Sequence, residues 1–234
     1  MKRASSGHEK VEDYKLLSRL GKGGFGTVYK AYKESENKVY ALKAIRKDMI
    51  LKQEILKRVI TEAKIALKLE HPFLIKTHCI FQDKTRVYLL MDYYKDGTLL
   101  KFIKKKQRLP EIVVLYFAAQ MVSAVDYLHE QEIIHRDLKL ENILFDTDGY
   151  LKIIDFGLSK FLPYDDMTFS DVGTEDLVAP EIITGEGHTY TVDWWEVGII
   201  TYLMLYGFYP FYDEDQGKKF KNIVKAEIRF PSSI

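Results

Sequence analysis

Hydrophobic and polar positions change their period several times along this chain, and each change marks an element. From Tyr14 to Lys33, β-prone runs flank a cluster of glycines, which predicts strand, turn, strand. Asn37–Ile45 follows as another strand-like run and contains Tyr40-Ala41-Leu42-Lys43. The period then becomes helical. From Gln53 to Leu69, the residues Ile55, Val59, Glu62 and Ala66 fall at i, i+4, i+7 and i+11 on one face. Glu62 thus sits on an otherwise apolar, inward stripe, where an unpaired carboxylate is costly. An ion pair with Lys43 would resolve that cost.

Arg86–Tyr94 predicts a further strand around Val87-Tyr88-Leu89-Leu90-Met91. Lys101–Arg108 is a basic run that reads as a solvated helix face. Ile112–Glu130 predicts a long helix, amphipathic at first and then buried. Asp193–Gly207 is apolar on all sides, so it is expected to be the central core helix of the second half, with Asp193 a buried carboxylate. Lys218–Lys225 is a short segment available to cover it.

Composition narrows the class. A chain of 234 residues suits one large domain or two smaller ones. A formal net charge of +1 gives no electrostatic basis for binding nucleic acid or a membrane surface. The most apolar runs, Ile112–Ala119 and Val197–Leu205, are too short to span a bilayer, and Met1–Lys10 is polar. The single cysteine, Cys79, excludes an intrachain disulfide and favours a reducing compartment, cytoplasmic or nuclear; a small buried hydrophobe is its bland reading.

The candidate chemistry lies in two neighbouring segments. His135-Arg136-Asp137-Leu138-Lys139-Leu140-Glu141-Asn142 is followed by Asp155-Phe156-Gly157. Together they supply an acid to orient a hydroxyl, a cation to offset charge on a moving phosphoryl group, and oxygen ligands suited to Mg²⁺. Gly21-Lys22-Gly23-Gly24-Phe25-Gly26 fits GxGxxG, which also suits a dinucleotide site or a plain hairpin. A dinucleotide fingerprint must open a helix, whereas Thr27-Val28-Tyr29 is β-prone, so a phosphate-covering flap between strands is the better reading.

On these motifs the chain resembles a eukaryotic protein kinase. The resemblance implies an α+β, bilobal fold: an antiparallel β-sheet lobe with one main helix over 14–91, a hinge at 92–97, and a mostly helical lobe over 98–234, preceded by an extension at 1–13. It implies an ATP-dependent kinase acting with Mg²⁺ on Ser/Thr hydroxyls of protein substrates; the alternative is a pseudokinase serving as a nucleotide-binding or interaction module. Asp137 would orient the acceptor hydroxyl, Lys139 would neutralise the phosphoryl group, and Asn142 and Asp155 would hold the metal. Thr174 matches a threonine that hydrogen-bonds near the catalytic Asp. Lys43, held by Glu62, would meet the phosphates beneath Gly21, Gly23 and Gly26. Met91 would border the adenine and the backbone of Asp92 and Tyr94 would read it, with Leu20, Val28, Ala41 and Leu144 as further nucleotide-binding positions. Asp193 would anchor the catalytic loop. Ser170 matches the phosphosite, with Arg136, Arg58 and Lys160 as its basic partners and an upstream kinase as its modifier.

Val192-Asp193-Trp194-Trp195, Leu138–Asn142 and Ile228-Arg229-Phe230-Pro231 are similar to the AGC group, which includes the cyclic-nucleotide-dependent kinases. Four departures stand out. Gly173-Thr174-Glu175-Asp176-Leu177 replaces Gly-Thr-Pro-Glu-Tyr in the wall that receives substrate after its acceptor. Thr98 and Leu203 stand where basophilic members carry acids, with Glu141 alone kept. Ala66 and Thr77 make the hydrophobic spine small. The chain ends at Ile234, ahead of the family's last helices, so a longer full-length form is expected, with an arginine beyond Ile234 pairing with Glu181.

Overall fold

The computed structural model describes residues 9–23, 26–50, 53–170 and 172–231. Gly24 and Phe25 of the glycine loop, residues 1–8 of the expected extension, and Ile234 lie outside the described residues. The chain forms two compact units. The first takes the described residues up to Glu70 together with Ile75–Tyr93, and the second takes His71–Leu74 and everything described from Tyr94 onward.

The first unit is a five-stranded antiparallel sheet with one helix. Its strands are β1 (Tyr14–Lys22), β2 (Gly26–Lys33), β3 (Lys38–Arg46), β4 (Thr77–Gln82) and β5 (Arg86–Asp92), in the order β1-β2-β3-β5-β4. The β2–β3 register runs without a break from Gly26 opposite Ile45 to Lys33 opposite Lys38. β1 is irregular, with register shifts at Leu16/Ser18 and Arg19/Gly21. β3 is the central strand, and five successive positions from Tyr40 to Ala44 include four buried ones, the mark of a strand covered on both faces. One core cluster gathers Tyr14, Ala31, Tyr40, Leu42, Ala44, Tyr88 and Leu90, with Cys79 and Phe81 against it. Phe81 stacks on both Tyr14 and Tyr88 at 5.8 and 5.1 Å. Burial pushes the Cys79 thiol up to about 11, as suits a packing residue. The helix α1 (Gln53–Lys68) buries Val59, Glu62 and Ala66 of the expected stripe and Ile65 beside them, while Ile55 is half-buried. β4 has no counterpart among the expected elements.

The second unit is mostly helical: α2 (Leu99–Lys106), α3 (Glu111–Glu130), α4 (Pro180–Thr184), α5 (Thr191–Tyr206) and α6 (Gln216–Lys225). Two small antiparallel ladders join β6 (Ile133–Ile134) to β9 (Lys160–Phe161), and β7 (Ile143–Phe145) to β8 (Leu151–Ile153). Thr98 caps α2 by accepting from the Lys101 amide at 3.2 Å, and three lysines in the last turn suit the negative end of the helix dipole. Their side chains are exposed, as expected of the basic run.

α3 and α5 pack on each other as the core of this unit. α5 buries nine of its residues and stops at Gly207, which has φ +82°. A Cβ there would lie 2.7 Å from the Gln107 carbonyl oxygen, so glycine is required by space as well as by backbone sign. α3 matches the helix expected over Ile112–Glu130. By length and composition alone, with a mean hydropathy of 1.4, it would suit a bilayer, but 44% of that window is buried inside the protein. Its Gln120 is buried and accepts from the Leu151 amide at 2.8 Å, which fastens the β7–β8 hairpin to it.

The segment His71–Leu74 leaves the first unit for the second because its backbone and rings find partners there. Phe73 O accepts from the Ile153 amide at 2.9 Å, Leu74 bridges to Ile153, and His71 stacks on Tyr127 at 4.9 Å. Asp92 ends β5 and pairs with Tyr40 within the first unit. A sheet unit with one main helix and a largely helical unit make this an α+β protein, the class the resemblance implied.

Candidate active site

The loop after β6 is built by side chains that satisfy its amides one by one. His135 N and Arg136 N donate to the two oxygens of Asp193 at 2.8 and 2.7 Å, and His129 Nε2 meets the same carboxylate at 2.8 Å. Asp137 N donates to His135 Nδ1 at 3.3 Å, and Leu138 N donates to Glu196 Oε2 at 2.9 Å. Four consecutive amides therefore end on side chains, three of those bonds reaching carboxylates of α5. An accepting Nδ1 requires the neutral tautomer of His135, and full burial lowers the pKa of this imidazole from its ordinary value. Arg136 lies at φ +67°, a left-handed conformation unusual for a side-chain-bearing residue, and this anchoring sustains it.

That backbone path presents Asp137, which is buried, to three donors. Thr174 Oγ1 donates to its Oδ1 at 2.8 Å, and Lys139 Nζ meets its Oδ2 at 2.6 Å. Asn142 Nδ2 donates to the Asp137 carbonyl and to Oδ2, both at 3.2 Å. Lys139 Nζ also reaches Thr174 Oγ1 at 3.3 Å. Asp137, Lys139, Asn142 and Thr174 thus meet at one point, although Thr174 is 37 residues from Asp137 in sequence.

The metal candidates are joined by the β7–β8 hairpin. Ile143 pairs with Ile153, and Ile154 N donates to Asn142 O at 2.9 Å, so Asn142 and Asp155 share one end of the ladder. Asp155 Oδ1 accepts from the Gly157 amide at 3.1 Å. Among the described residues no cluster of three or more His, Cys, Asp or Glu forms a closed metal cage. With its amide nitrogen committed to Asp137, Asn142 offers an oxygen, and Asp155 offers a carboxylate. Such a sparse, hard-oxygen set fits Mg²⁺, which keeps waters and takes further oxygens from phosphates.

In the first unit, Lys43 Nζ and Glu62 Oε1 form a partly buried ion pair. Lys43 lies opposite Val28 on one side and Leu89 on the other; Ala41 lies opposite Lys30 and Met91. The glycine segment closes an antiparallel hairpin, with Gly21 paired to Val28 and Gly23 N donating to Gly26 O at 2.9 Å. No helix follows it, so the dinucleotide reading is excluded. A Cβ on Gly26 would come within 2.5 Å of Ala44 O, so the close approach of β2 to β3 requires glycine. Leu20 is exposed. Asp92 donates its amide to Lys76 O at 3.0 Å, and its carboxyl, lowered chiefly by the bond from His78, also meets Lys38. Tyr94 and Leu144 belong to the second unit, where Leu144 lies in β7 and bridges to Thr98.

The expected regulatory residues divide between the units. Arg136 Nη1 donates to Ser170 Oγ at 3.2 Å, while its Nε and Nη2 hold the Leu158 carbonyl. Lys160 Nζ donates to Thr168 Oγ1 at 3.3 Å, and Thr168 lies 3.1 Å from Ser170 Oγ. Arg58 sits on the exposed side of α1 in the first unit. Of the unusual positions, Leu203 is buried in α5 and Thr98 is the α2 cap. Thr77 and Ala66 are buried, and the Thr77 hydroxyl has no hydrogen-bond partner. Glu181 is half-buried and accepts from Thr191 Oγ1 at 3.0 Å. Three contributors carried no sequence signal. Glu196 anchors Leu138, Thr168 links Lys160 to Ser170, and Lys219 of α6 meets Asp176 at 2.7 Å and Glu175 at 3.9 Å.

Residues 14–232 match the family model described as "Protein kinase domain". The chain is 40% identical to "Protein kinase 2" of Dictyostelium discoideum over 95% of its own length and 47% of that protein's. It is 39% identical to "cAMP-dependent protein kinase type 3" of Saccharomyces cerevisiae over 98% of its length and 57% of the relative's, and 40% identical to "Serine/threonine-protein kinase AtPK1/AtPK6" of Arabidopsis thaliana over 98% and 49%. The chain therefore spans about half the length of the curated relatives it matches. A family match across nearly the whole chain, with relatives of the AGC type that Asp193-Trp194-Trp195 had implied, leads to one conclusion: the chain belongs to the protein kinase family.

Proposed function

We propose that the chain transfers the γ-phosphoryl group of ATP to serine or threonine hydroxyls of protein substrates. The observation that carries this reading is the Asp137 carboxylate, one oxygen bonded by Thr174 and the other by Lys139. The acceptor oxygen bonds to the γ-phosphorus, the bond from that phosphorus to the bridging oxygen breaks, ADP departs, and the hydroxyl proton passes to Asp137. Lys139 offsets negative charge on the phosphoryl group in flight. Lys43, steered by Glu62, positions the α- and β-phosphates, and the glycine hairpin offers backbone N–H groups to them. Mg²⁺, when bound, neutralises phosphate charge, and Asn142 and Asp155 would hold it.

Names of relatives that specify serine/threonine kinases support the acceptor class. Every reactive residue of the motif set is present, so nothing favours the pseudokinase alternative. We assign Ser170 to modification by an upstream kinase, and the protein to a reducing, cytoplasmic or nuclear compartment, on the strength of its single thiol.

The test is transfer from labelled ATP to a generic protein acceptor. Wild type is expected to transfer only with Mg²⁺. Asp137→Asn is expected to lose at least about 10²-fold in kcat, the usual contribution of a positioned base, while keeping its nucleotide-dependent thermal shift. Lys43→Met should lose transfer as well. Appreciable turnover by Asp137→Asn would overturn the assignment.

A further inference from the structure

α5 carries a second buried acid one helix turn after Asp193. Glu196 is 3% exposed, in a helix whose other buried positions, Asp193 apart, are apolar. Burying a carboxyl in such a helix is costly, so its bond partner matters. That partner is Leu138 N, the amide that immediately follows Asp137, at 2.9 Å. Asp193 takes the two amides before Asp137, and Glu196 takes the one after it. The catalytic residue is therefore suspended between two carboxyl groups of one helix, and without Glu196 its C-terminal side has no such tether.

We propose that Glu196 is a positioning residue for phosphoryl transfer: its bond to Leu138 N fixes the peptide after Asp137 and so sets where the Asp137 carboxylate points. The proposal rests on the kinase reading given above. It differs from a packing role because the contact is a single directional bond to the backbone amide that follows the reactive residue. Asp137 meets Thr174, Lys139 and Asn142 at distances of 2.6 to 3.2 Å, and a turn about its own peptide would degrade all three contacts together. Burial first, and the charge of Asp193 second, push the Glu196 carboxyl well above its usual range. The neutral acid that this favours has one accepting oxygen, which is the feature a glutamine preserves.

The experiment compares wild type, Glu196→Gln and Glu196→Met in the intact protein, measuring kcat and both KM values. Methionine matches glutamate in length and volume but has no oxygen to accept from Leu138. Since an ångström of misplacement can cost about 10²-fold, Glu196→Met is expected to lose about 30-fold or more in kcat with both KM values within about threefold of wild type, while Glu196→Gln recovers kcat to within about threefold. A merely structural role would lower thermal stability without this split, and would not be rescued selectively by the accepting side chain. Wild-type kcat in a cooperatively melting Glu196→Met, or equal losses in both variants, would overturn the proposal. If Glu196→Met does not fold, amide exchange decides. Leu138 N–H is expected to be strongly protected in wild type and Glu196→Gln, and exchange as fast as an exposed loop in wild type would refute the tether. A wild type that transfers no phosphate would instead overturn the kinase reading, and this proposal with it.

Discussion

Replacing Asp193 by asparagine keeps the shape of the side chain and removes one accepting oxygen. The carboxylate is fully buried and receives three bonds: Arg136 N on Oδ1, and His135 N with His129 Nε2 on Oδ2. An asparagine oxygen can replace Oδ1, but its NH₂ then faces the His135 amide, donor against donor. His129 can adapt by changing tautomer, whereas a backbone amide cannot. One orphaned buried amide costs about 1–3 kcal/mol, and downgrading the Arg136 bond from a charged to a neutral acceptor costs roughly 1 kcal/mol more. The expected loss is about 2–4 kcal/mol, a sizeable share of the roughly 5–15 kcal/mol that stabilises a whole domain. At about 2–4 °C per kcal/mol for a chain of this size, the melting temperature should fall by roughly 4–16 °C. Trp194 and Trp195 are the only two tryptophans in the chain and flank the site on α5, so their fluorescence in a urea titration reports the second unit directly. An unfolding free energy within about 0.5 kcal/mol of wild type would show that the loop does not depend on this carboxylate.

Three further outcomes are expected. Lys219 meets both Asp176 and Glu175, so these acids are internally paired in wild type; Lys219→Ala should release them and raise the preference for basic residues after the acceptor, read on a peptide array, and an unchanged profile would refute it. Ser170 lies beside Arg136, with Lys160 one hydroxyl away, so Ser170→Ala should lower activity several-fold in phosphorylated preparations, whereas equal activity would remove Ser170 as a switch. The His188 imidazole is buried with an unpartnered Nε2, and burial, then the Arg136 charge, lower its pKa below the ordinary 6.5. The unfolded state then binds the extra proton first, so stability is present above about pH 6.5 and is lost as pH falls below it; His188→Phe should flatten that decline in melting temperature, and parallel curves for the two proteins would contradict the assignment.

The sequence alone determined those parts of the protein in which chemistry or periodicity is local. Asp137, Asn142 and Asp155 could be proposed as candidates because the chemistry suggested for them needs particular functional groups at short, fixed spacings. α1 and α5 were legible because a buried stripe and an all-apolar run each repeat every turn. The Lys43–Glu62 pair could be read at a distance of 19 residues because a carboxylate on an apolar stripe demands a cation. Tertiary structure decided what no local pattern encodes. Ladders of two or three residues, such as β6–β9 and β7–β8, are too short to show a period. The transfer of His71–Leu74 to the second unit follows from backbone bonds to Ile153, some 80 residues on in the chain. Nothing in the sequence around Glu175 and Asp176 points to Lys219 of α6, which lies 43 residues from Asp176 and meets both. Glu196 was indistinguishable from any polar residue in an apolar helix, because its meaning lies in a backbone amide 58 residues earlier. A single bond over such a separation leaves no mark on its neighbours in sequence, and only the folded chain brings its two ends together.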